Sequence, residues 1–205
     1  MDALVITDIQ NDFLPGGRLP VPEGDLIIPV VHRVIPHFGL IVALQDWHPP
    51  GHMSFASNHP GKKPLDRIVL DGLEQVLWPD HCVQGTPGAD FSAALDLNPV
   101  EAIFRKGTNP AVDSYSGFFD NARKKATGLE GYLKARGVHR IWLSGLAADF
   151  CVYYTALDAL SLGFQVVVIR DATKAITAAG GDAAEKSIVS KGGRYVSSLE
   201  ITGKR

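Results

Sequence analysis

The 205-residue sequence has few cysteines, no long apolar run and no block of like charge. Its two cysteines, Cys82 and Cys151, are too few for a disulfide framework in a chain of this length. They indicate a reducing, cytoplasmic setting in which both thiols are free. The apolar stretches are much shorter than a bilayer span, and residues 1–10 lack the basic start and apolar run of a signal peptide. These absences predict no membrane partner.

The charge balance excludes a second group of partners. The formal net charge is −2, which gives no reason to expect nucleic acid or an acidic membrane surface. The first apolar segment is followed by DIQNDF rather than by a glycine-rich phosphate loop. A non-catalytic nucleotide-binding module, the alternative from a different functional class, is therefore disfavoured.

Short apolar segments alternate along the chain with longer segments typical of helices. The near-continuous apolar runs predict strands at 3–7, 40–44, 100–104, 138–143, 165–169 and 195–201. Helices are predicted at 24–38, 116–136, 150–162 and 181–191. This alternation predicts an α/β fold, a parallel six-stranded sheet with helices on both faces in three α/β/α layers.

One stretch interrupts the alternation. Residues 46–98 are rich in proline, glycine and histidine and show little periodicity. A loop of that length inside a compact domain is usually functional or disordered, and its aromatic and histidine content argues against disorder. We therefore expect one domain over residues 1–205, with a functional loop insertion at about 46–98.

Ligands of open α/β sheets bind beyond the carboxyl ends of the strands, where reactive side chains are expected. Cys151 falls in the first turn of a predicted helix, and the helix dipole there predicts a lowered thiol pKa. Asp8 and Lys106 follow two other strands. A carboxylate that takes the thiol proton and an ammonium that stabilises negative charge complement a nucleophilic cysteine. Burial as an inert small hydrophobe is the alternative for Cys151.

A metal site is predicted in the long loop. Asp46 and His48 point to the same side if QDWH is extended, and His81 supplies a third ligand. One carboxylate with two imidazoles suits one divalent ion, zinc first, with iron or manganese as alternatives. His52 and His59 compete for the third position, and Cys82 is a further candidate whose side chain should point away from that of His81.

Five blocks in this order resemble the nicotinamidases of the isochorismatase-like hydrolase superfamily. They are TDIQNDFLPGG, QDWHPPGHMSFASNHP, WPDHCVQGTPGADF, FRKGTNPAVDSYSGFFDN and SGLAADFCVYYTALDAL. The likeness covers most of the chain and is weakest after Asp171. Ala148 and Phe150 depart from the residues that are frequent in the motif before the cysteine, which affects pocket detail more than activity.

The resemblance implies a role for each of these positions. It implies a triad of Asp8, Lys106 and Cys151, and a metal held by Asp46, His48 and His81. The backbone N–H groups of Ala147 and Cys151 are expected to bind an oxyanion, after a cis peptide between Leu146 and Ala147. The positions that match the substrate pocket are Phe13, Leu19, Trp78 and Tyr115.

The implied activity is metal-assisted hydrolysis of nicotinamide to nicotinate and ammonia through a thioester, in NAD salvage, with pyrazinamide as a second substrate. The alternative is another cysteine amidohydrolase of the superfamily, acting on a carbamoyl or related small amide. The partner is a small-molecule substrate. The sequence leaves the metal, the breadth of amide specificity and the oligomeric state open, with a homo-oligomer among the alternatives.

Overall fold

A parallel sheet forms the centre of the molecule in the computed structural model, which describes residues 1–203. The strands are β1 Asp2–Thr7, β2 Ile41–Asp46, β3 Arg67–Leu70, β4 Leu73–Val76, β5 Ala102–Lys106, β6 Arg140–Leu146, β7 Gln165–Lys174 and β8 Arg194–Val196. Six of them form one sheet in the order β5-β2-β1-β6-β7-β8. All pairings in this sheet are parallel.

Helices cover both faces of this sheet. They are α1 Ile28–Val34, α2 Leu129–Ala135, α3 Cys151–Ser161, α4 Ala178–Ser190 and α5 Ser198–Thr202. Leu4 and Ile6 of β1 pack in one apolar core with α1, while Ala3 and Val5 pack in a second core with α2, α3 and α4. This alternation of side chains confirms the predicted three-layer α/β/α architecture.

Two predicted elements are wrong in part. Of the helix predicted at 116–136, only Leu129–Ala135 forms, because side chains bond the local backbone: Ser116 Oγ accepts from Phe118 N–H at 3.0 Å, and Thr127 Oγ1 donates to Gly117 O at 2.6 Å. The strand predicted at 195–201 stops at Val196. A capping box, in which the Ser197 and Glu200 side chains each bond the other's backbone N–H, starts α5 instead.

Smaller differences concern other element bounds. The predicted helix at 24–38 contains an α-helix only at Ile28–Val34, with 3-10 turns at Gly24–Ile27 and Ile35–His37. Pro36 lacks a backbone N–H and cannot continue the α-helical bonding. The insertion at 46–98 contains an antiparallel hairpin of β3 and β4 that the sequence did not predict. No helix within residues 1–203 has the length and apolar character needed to cross a membrane.

Candidate active site and metal centre

The parallel register brings acidic and basic side chains to one edge of the sheet. Asp46 at the end of β2 pairs with Lys106 at the end of β5. On the other side of β2, Asp8 follows β1, and its N–H donates to Leu44 O at 3.2 Å. Asp8 adopts a left-handed φ of +48°, which aspartate tolerates better than most residues. Because all three strands end at this edge, three charged residues far apart in sequence become neighbours.

Lys106 lies at the centre of this group. Its Nζ is 2.9 Å from Asp8 Oδ2, 3.1 Å from Asp46 Oδ1 and 3.4 Å from Cys151 Sγ, and it donates to Ser114 O at 3.3 Å. The side chains of Lys106 and Asp8 are completely buried. The structure therefore brings together the three residues predicted as a triad, with the Lys106 ammonium next to both the Asp8 carboxyl group and the Cys151 sulfur.

Cys151 is the first residue of α3, as the sequence predicts. The peptide between Leu146 and Ala147 is cis, which confirms that expectation. Among residues 1–203, the backbone N–H groups of Ala147 and Cys151 have no hydrogen-bond acceptor. Their use as donors to an oxyanion stays a prediction.

The expectation of a lowered thiol pKa is wrong. Burial raises the pKa of the Cys151 thiol well above its ordinary value, and the nearby Lys106 ammonium only partly opposes this. Burial also raises the pKa of Asp8, again against the effect of Lys106. The helix start is not enough to offset the loss of solvent around the sulfur. A sulfur with this pKa is held as a thiol, so any reaction at Cys151 would need a base.

Three buried side chains form a group suited to a metal ion. The ligand atoms of Asp46, His48 and His81 all lie within 4.8 Å of one another. Asp46 Oδ2 is 3.0 Å from His48 Nε2 and 3.4 Å from His81 Nε2. The Nδ1 atoms of the imidazoles are bonded to backbone carbonyls, His48 to Gly107 O at 3.0 Å and His81 to Pro79 O at 2.8 Å.

These contacts decide which atoms face the centre of the group. An Nδ1–H that donates to a carbonyl leaves the Nε2 lone pair free for a metal, which is the usual second contact of a metal-bound histidine. One carboxylate oxygen and two Nε2 atoms thus converge, and they fit a divalent ion of the zinc, iron or manganese type. The Oδ1 atom of Asp46 contacts Lys106 instead, so Asp46 lies between this group and the three residues predicted as a triad.

The other candidate ligands do not belong to the group formed by Asp46, His48 and His81. His52 forms a second possible group with His48 and Asp113 rather than with Asp46 and His81. Its Nδ1 accepts from Ser54 N–H at 3.1 Å, and burial lowers its pKa to about 4. Neither Cys82 nor His59 belongs to a group of possible ligands among residues 1–203. Cys82 directs its thiol toward Gly88 O, as expected for a buried sulfur.

One pocket is lined both by Cys151 and by residues of the candidate metal group. Cys151 and Ala147 line it together with Asp46 and His81. The four residues predicted to contact substrate also line it, namely Phe13, Leu19, Trp78 and Tyr115. Three lining residues were not among those predicted to contact substrate: Asp113, Phe150 and Ile176. Asp113 lies in a matching block two positions before Tyr115, so its place in the sequence could have indicated a pocket residue. Ile176 lies in the weakly matching tail, which gave no such indication.

The comparisons with known proteins agree with this architecture. The isochorismatase domain model matches residues 2–200. The chain belongs to the isochorismatase family. The nicotinamidase of Acinetobacter baylyi is 48% identical over 97% of this chain and 94% of its own length. The family resemblance drawn from the sequence blocks is therefore confirmed.

Solved structures of isochorismatase-family proteins share the fold. The Acinetobacter baumanii nicotinamidase and pyrazinamidase superposes with a TM-score of 0.95 at 45% identity, over 98% of this chain and 97% of its own. The Pyrococcus horikoshii pyrazinamidase in complex with zinc superposes with a TM-score of 0.80 at 41% identity, over 96% and 98% of the two chains. These likenesses confirm the predicted fold class.

Proposed function

We propose that this isochorismatase-family protein is a nicotinamidase, which hydrolyses nicotinamide to nicotinate and ammonia and also accepts pyrazinamide. The observation that carries the proposal is one pocket lined both by Cys151 and by Asp46 and His81 of the metal group. An aromatic amide with a ring nitrogen can present its carboxamide to Cys151 and its ring nitrogen to the metal group. Nicotinate is a precursor for pyridine nucleotides, so the reaction serves NAD salvage.

Substrate orientation uses the two ends of this pocket. Asp46, His48 and His81 would hold one divalent ion, zinc in the first instance. When bound, the ion supplies a Lewis-acid position for a pyridine nitrogen. Phe13, Trp78 and the other aromatic residues exclude water and contact the ring faces. The carboxamide is then presented to the sulfur.

The first half of the reaction forms a thioester. Asp8 takes the proton of the Cys151 thiol, and the sulfur attacks the carboxamide carbon. The N–H groups of Ala147 and Cys151 bind the oxyanion of the tetrahedral intermediate. Asp8 returns the proton to the nitrogen, the C–N bond breaks and ammonia leaves. Lys106 neutralises negative charge on Asp8 and on the sulfur throughout.

The second half of the reaction releases the acid. Asp8 removes a proton from a water molecule, and the oxygen attacks the thioester carbon. The C–S bond breaks as the second tetrahedral intermediate collapses, and the sulfur regains the proton from Asp8. The new carboxylic acid gives its remaining proton to solvent and leaves as nicotinate, and Asp8, Lys106 and Cys151 return to their initial states.

Release of ammonia from nicotinamide tests this mechanism. We expect Cys151→Ala to lose activity by a factor of about 10³ or more, because the nucleophile is absent. Cys82→Ala is the matched control and should retain wild-type activity, since the Cys82 thiol faces Gly88 O. Nicotinamide turnover by Cys151→Ala at the wild-type rate would overturn the mechanism.

Substrate and metal dependence separate the proposed activity from its alternative. Benzamide, which has the carboxamide but no ring nitrogen, should be a much poorer substrate than nicotinamide, and a chelator should reduce turnover of nicotinamide. If the protein released ammonia from carbamoyl compounds but from no pyridine carboxamide, it would be another cysteine amidohydrolase of the family.

A further inference from the structure

Gln10 has a buried side chain that neither the triad nor the metal group uses. Its amide bonds both the N–H and the C=O group of Asp46, which lie on the two sides of the Asp46 α-carbon. Its Oε1 accepts from Asp46 N–H at 2.8 Å, and its Nε2 donates to Asp46 O at 2.8 Å and to Ala89 O at 2.7 Å. A side-chain amide has one acceptor oxygen and two N–H donors, and all of them are engaged here.

The sheet explains why Asp46 needs this partner. The β1–β2 pairing ends at Thr7 and Leu44, and Asp8 N–H makes the last bond to Leu44 O. Asp46 lies two residues further along β2, so its N–H and C=O point to the same side as those of Leu44. β1 has already ended at this level of the sheet, so it offers Asp46 no backbone partner. The Gln10 amide takes the place of a strand backbone, which leaves no buried peptide group of Asp46 unsatisfied on that side.

We propose that Gln10 is a positioning residue for the metal centre. By fixing the backbone of Asp46, it holds the carboxylate so that Oδ1 faces Lys106 and Oδ2 faces His48 and His81. Gln10 acts only through Asp46. The inference rests on the proposed metal site at Asp46, His48 and His81.

Asp12, two residues after Gln10, bonds the backbone next to His81, the proposed ligand from the second segment of the metal group. Its Oδ2 accepts from Cys82 N–H at 2.7 Å, directly after His81. The carbonyl of Cys82 in turn accepts from His48 N–H at 3.0 Å. The turn after β1 therefore bonds the backbone of Asp46 directly and that of Cys82 next to His81, and it reaches His48 through Cys82, which supports a positioning role for this segment.

Zinc affinity of Gln10→Met, measured by competition with a chromophoric chelator, tests the proposal. Methionine keeps the length of the side chain and removes the three hydrogen bonds to Asp46 and Ala89. We expect zinc binding to weaken by about 10- to 100-fold, as for other residues that orient metal ligands. Turnover of nicotinamide should recover substantially at saturating zinc, because no reacting group is changed.

Gln45→Met is the matched control. Gln45 is also a buried glutamine, and its Nε2 donates to the same carbonyl, Ala89 O, at 3.0 Å. Its Oε1 accepts from Arg105 Nε at 3.1 Å, so its side chain makes no bond to the backbone of Asp46. We expect Gln45→Met to be destabilised in urea but to bind zinc as the wild type does.

Each outcome decides a different question. If the wild type binds no zinc, the metal site itself is wrong. If the wild type binds zinc and Gln10→Met binds it equally well, or if Gln45→Met loses the same affinity, the positioning role is overturned. Should Gln10→Met fail to fold, Gln10→Ala leaves room for water at the Asp46 backbone, and wild-type zinc affinity in that variant contradicts the proposal.

Discussion

Lys106 connects the proposed triad with the proposed metal group. Its ammonium contacts Asp8 at 2.9 Å and Asp46 at 3.1 Å; the side chains of Lys106 and Asp8 are completely buried, and that of Asp46 is 5% exposed. Burial alone would lower the pKa of Lys106, but the charges of Asp46 and Asp8 outweigh it and raise that pKa well above its ordinary value. Lys106 therefore stays charged, and removing it leaves two carboxylates without their shared partner.

Replacing Lys106 by methionine should be costly for stability as well as activity. We expect Lys106→Met to lower the free energy of unfolding by about 3–5 kcal/mol, because it leaves buried carboxylates uncompensated. Urea unfolding of the metal-free protein measures this. Lys134→Met is the control: Lys134 forms an exposed pair with Glu130 at 2.6 Å, and its loss should cost less than about 1 kcal/mol. Equal effects of the two substitutions would contradict the role given to Lys106.

The proximity of Asp8, Lys106 and Cys151 was predictable, but their electrostatics were not. Asp8 and Lys106 follow predicted strands and Cys151 lies in the first turn of a predicted helix, which is visible in the sequence. The raised pKa of the thiol depends on how completely the surrounding side chains exclude water, and no local pattern encodes that. Gln10 was not predicted for a similar reason, since its partners Asp46 and Ala89 are 36 and 79 residues away.

At the scale of elements, the turn after β5 brings the backbone of Gly107 close to the side chains of His48 and Asp46. Gly107 adopts a φ of +66°, and its carbonyl accepts from His48 Nδ1. A Cβ atom at this position would lie 2.4 Å from His48 Cε1 and 2.9 Å from Asp46 Oδ1. The turn therefore needs glycine both for its backbone conformation and for the space that two proposed ligands occupy.

Gly107→Ala should disturb the metal centre in addition to straining the backbone. Gly137 has nearly the same φ, +68°, but a Cβ there would meet nothing within 4 Å. We expect both alanine variants to lose about 1–2 kcal/mol of stability from the left-handed conformation. Only Gly107→Ala should also lose zinc affinity and nicotinamide turnover. Unchanged zinc binding in Gly107→Ala would show that His48 and Asp46 tolerate the added carbon.

Apolar periodicity identified the six sheet strands but not every boundary. Each predicted strand overlaps an observed one. Central strands such as β1 and β2 are buried on both faces and therefore apolar along most of their length. The segment at 116–128 has enough apolar residues to look helical, yet serine and threonine side chains bond its backbone in another conformation. The β3–β4 hairpin has exposed positions at Arg67 and Val69 and lacks a continuous apolar signal.

For the whole molecule, metal binding should appear as thermal stability. The proposed ligands come from two distant segments, at Asp46 and His48 and at His81, so only the folded chain assembles them. At free zinc about 100 times the Kd, the folded state gains roughly 2.7 kcal/mol. For a chain of this size that corresponds to a rise in Tm of about 5–10 °C.

Calorimetry of the Cys151→Ala protein with and without zinc measures this shift without turnover. Magnesium at the same concentration is the control, since it prefers oxygen ligands and should leave the Tm unchanged. An equal shift with both ions would point to non-specific binding at carboxylates. No shift with zinc would contradict the proposed metal site.

The pairing of β1 with both β2 and β6 determines when activity can arise during synthesis. Residues 2–7 lie in the middle of the sheet, and their pairing with 140–145 closes a loop of more than half the chain. Contacts between such distant segments slow folding, because the entropy of loop closure is lost before the contact forms. A nascent chain on the ribosome thus holds Asp8 long before Cys151 emerges. Cys151, the proposed nucleophile, can meet Asp8 only after it has itself been translated, and a product truncated before Cys151 lacks the thiol that the proposed reaction needs.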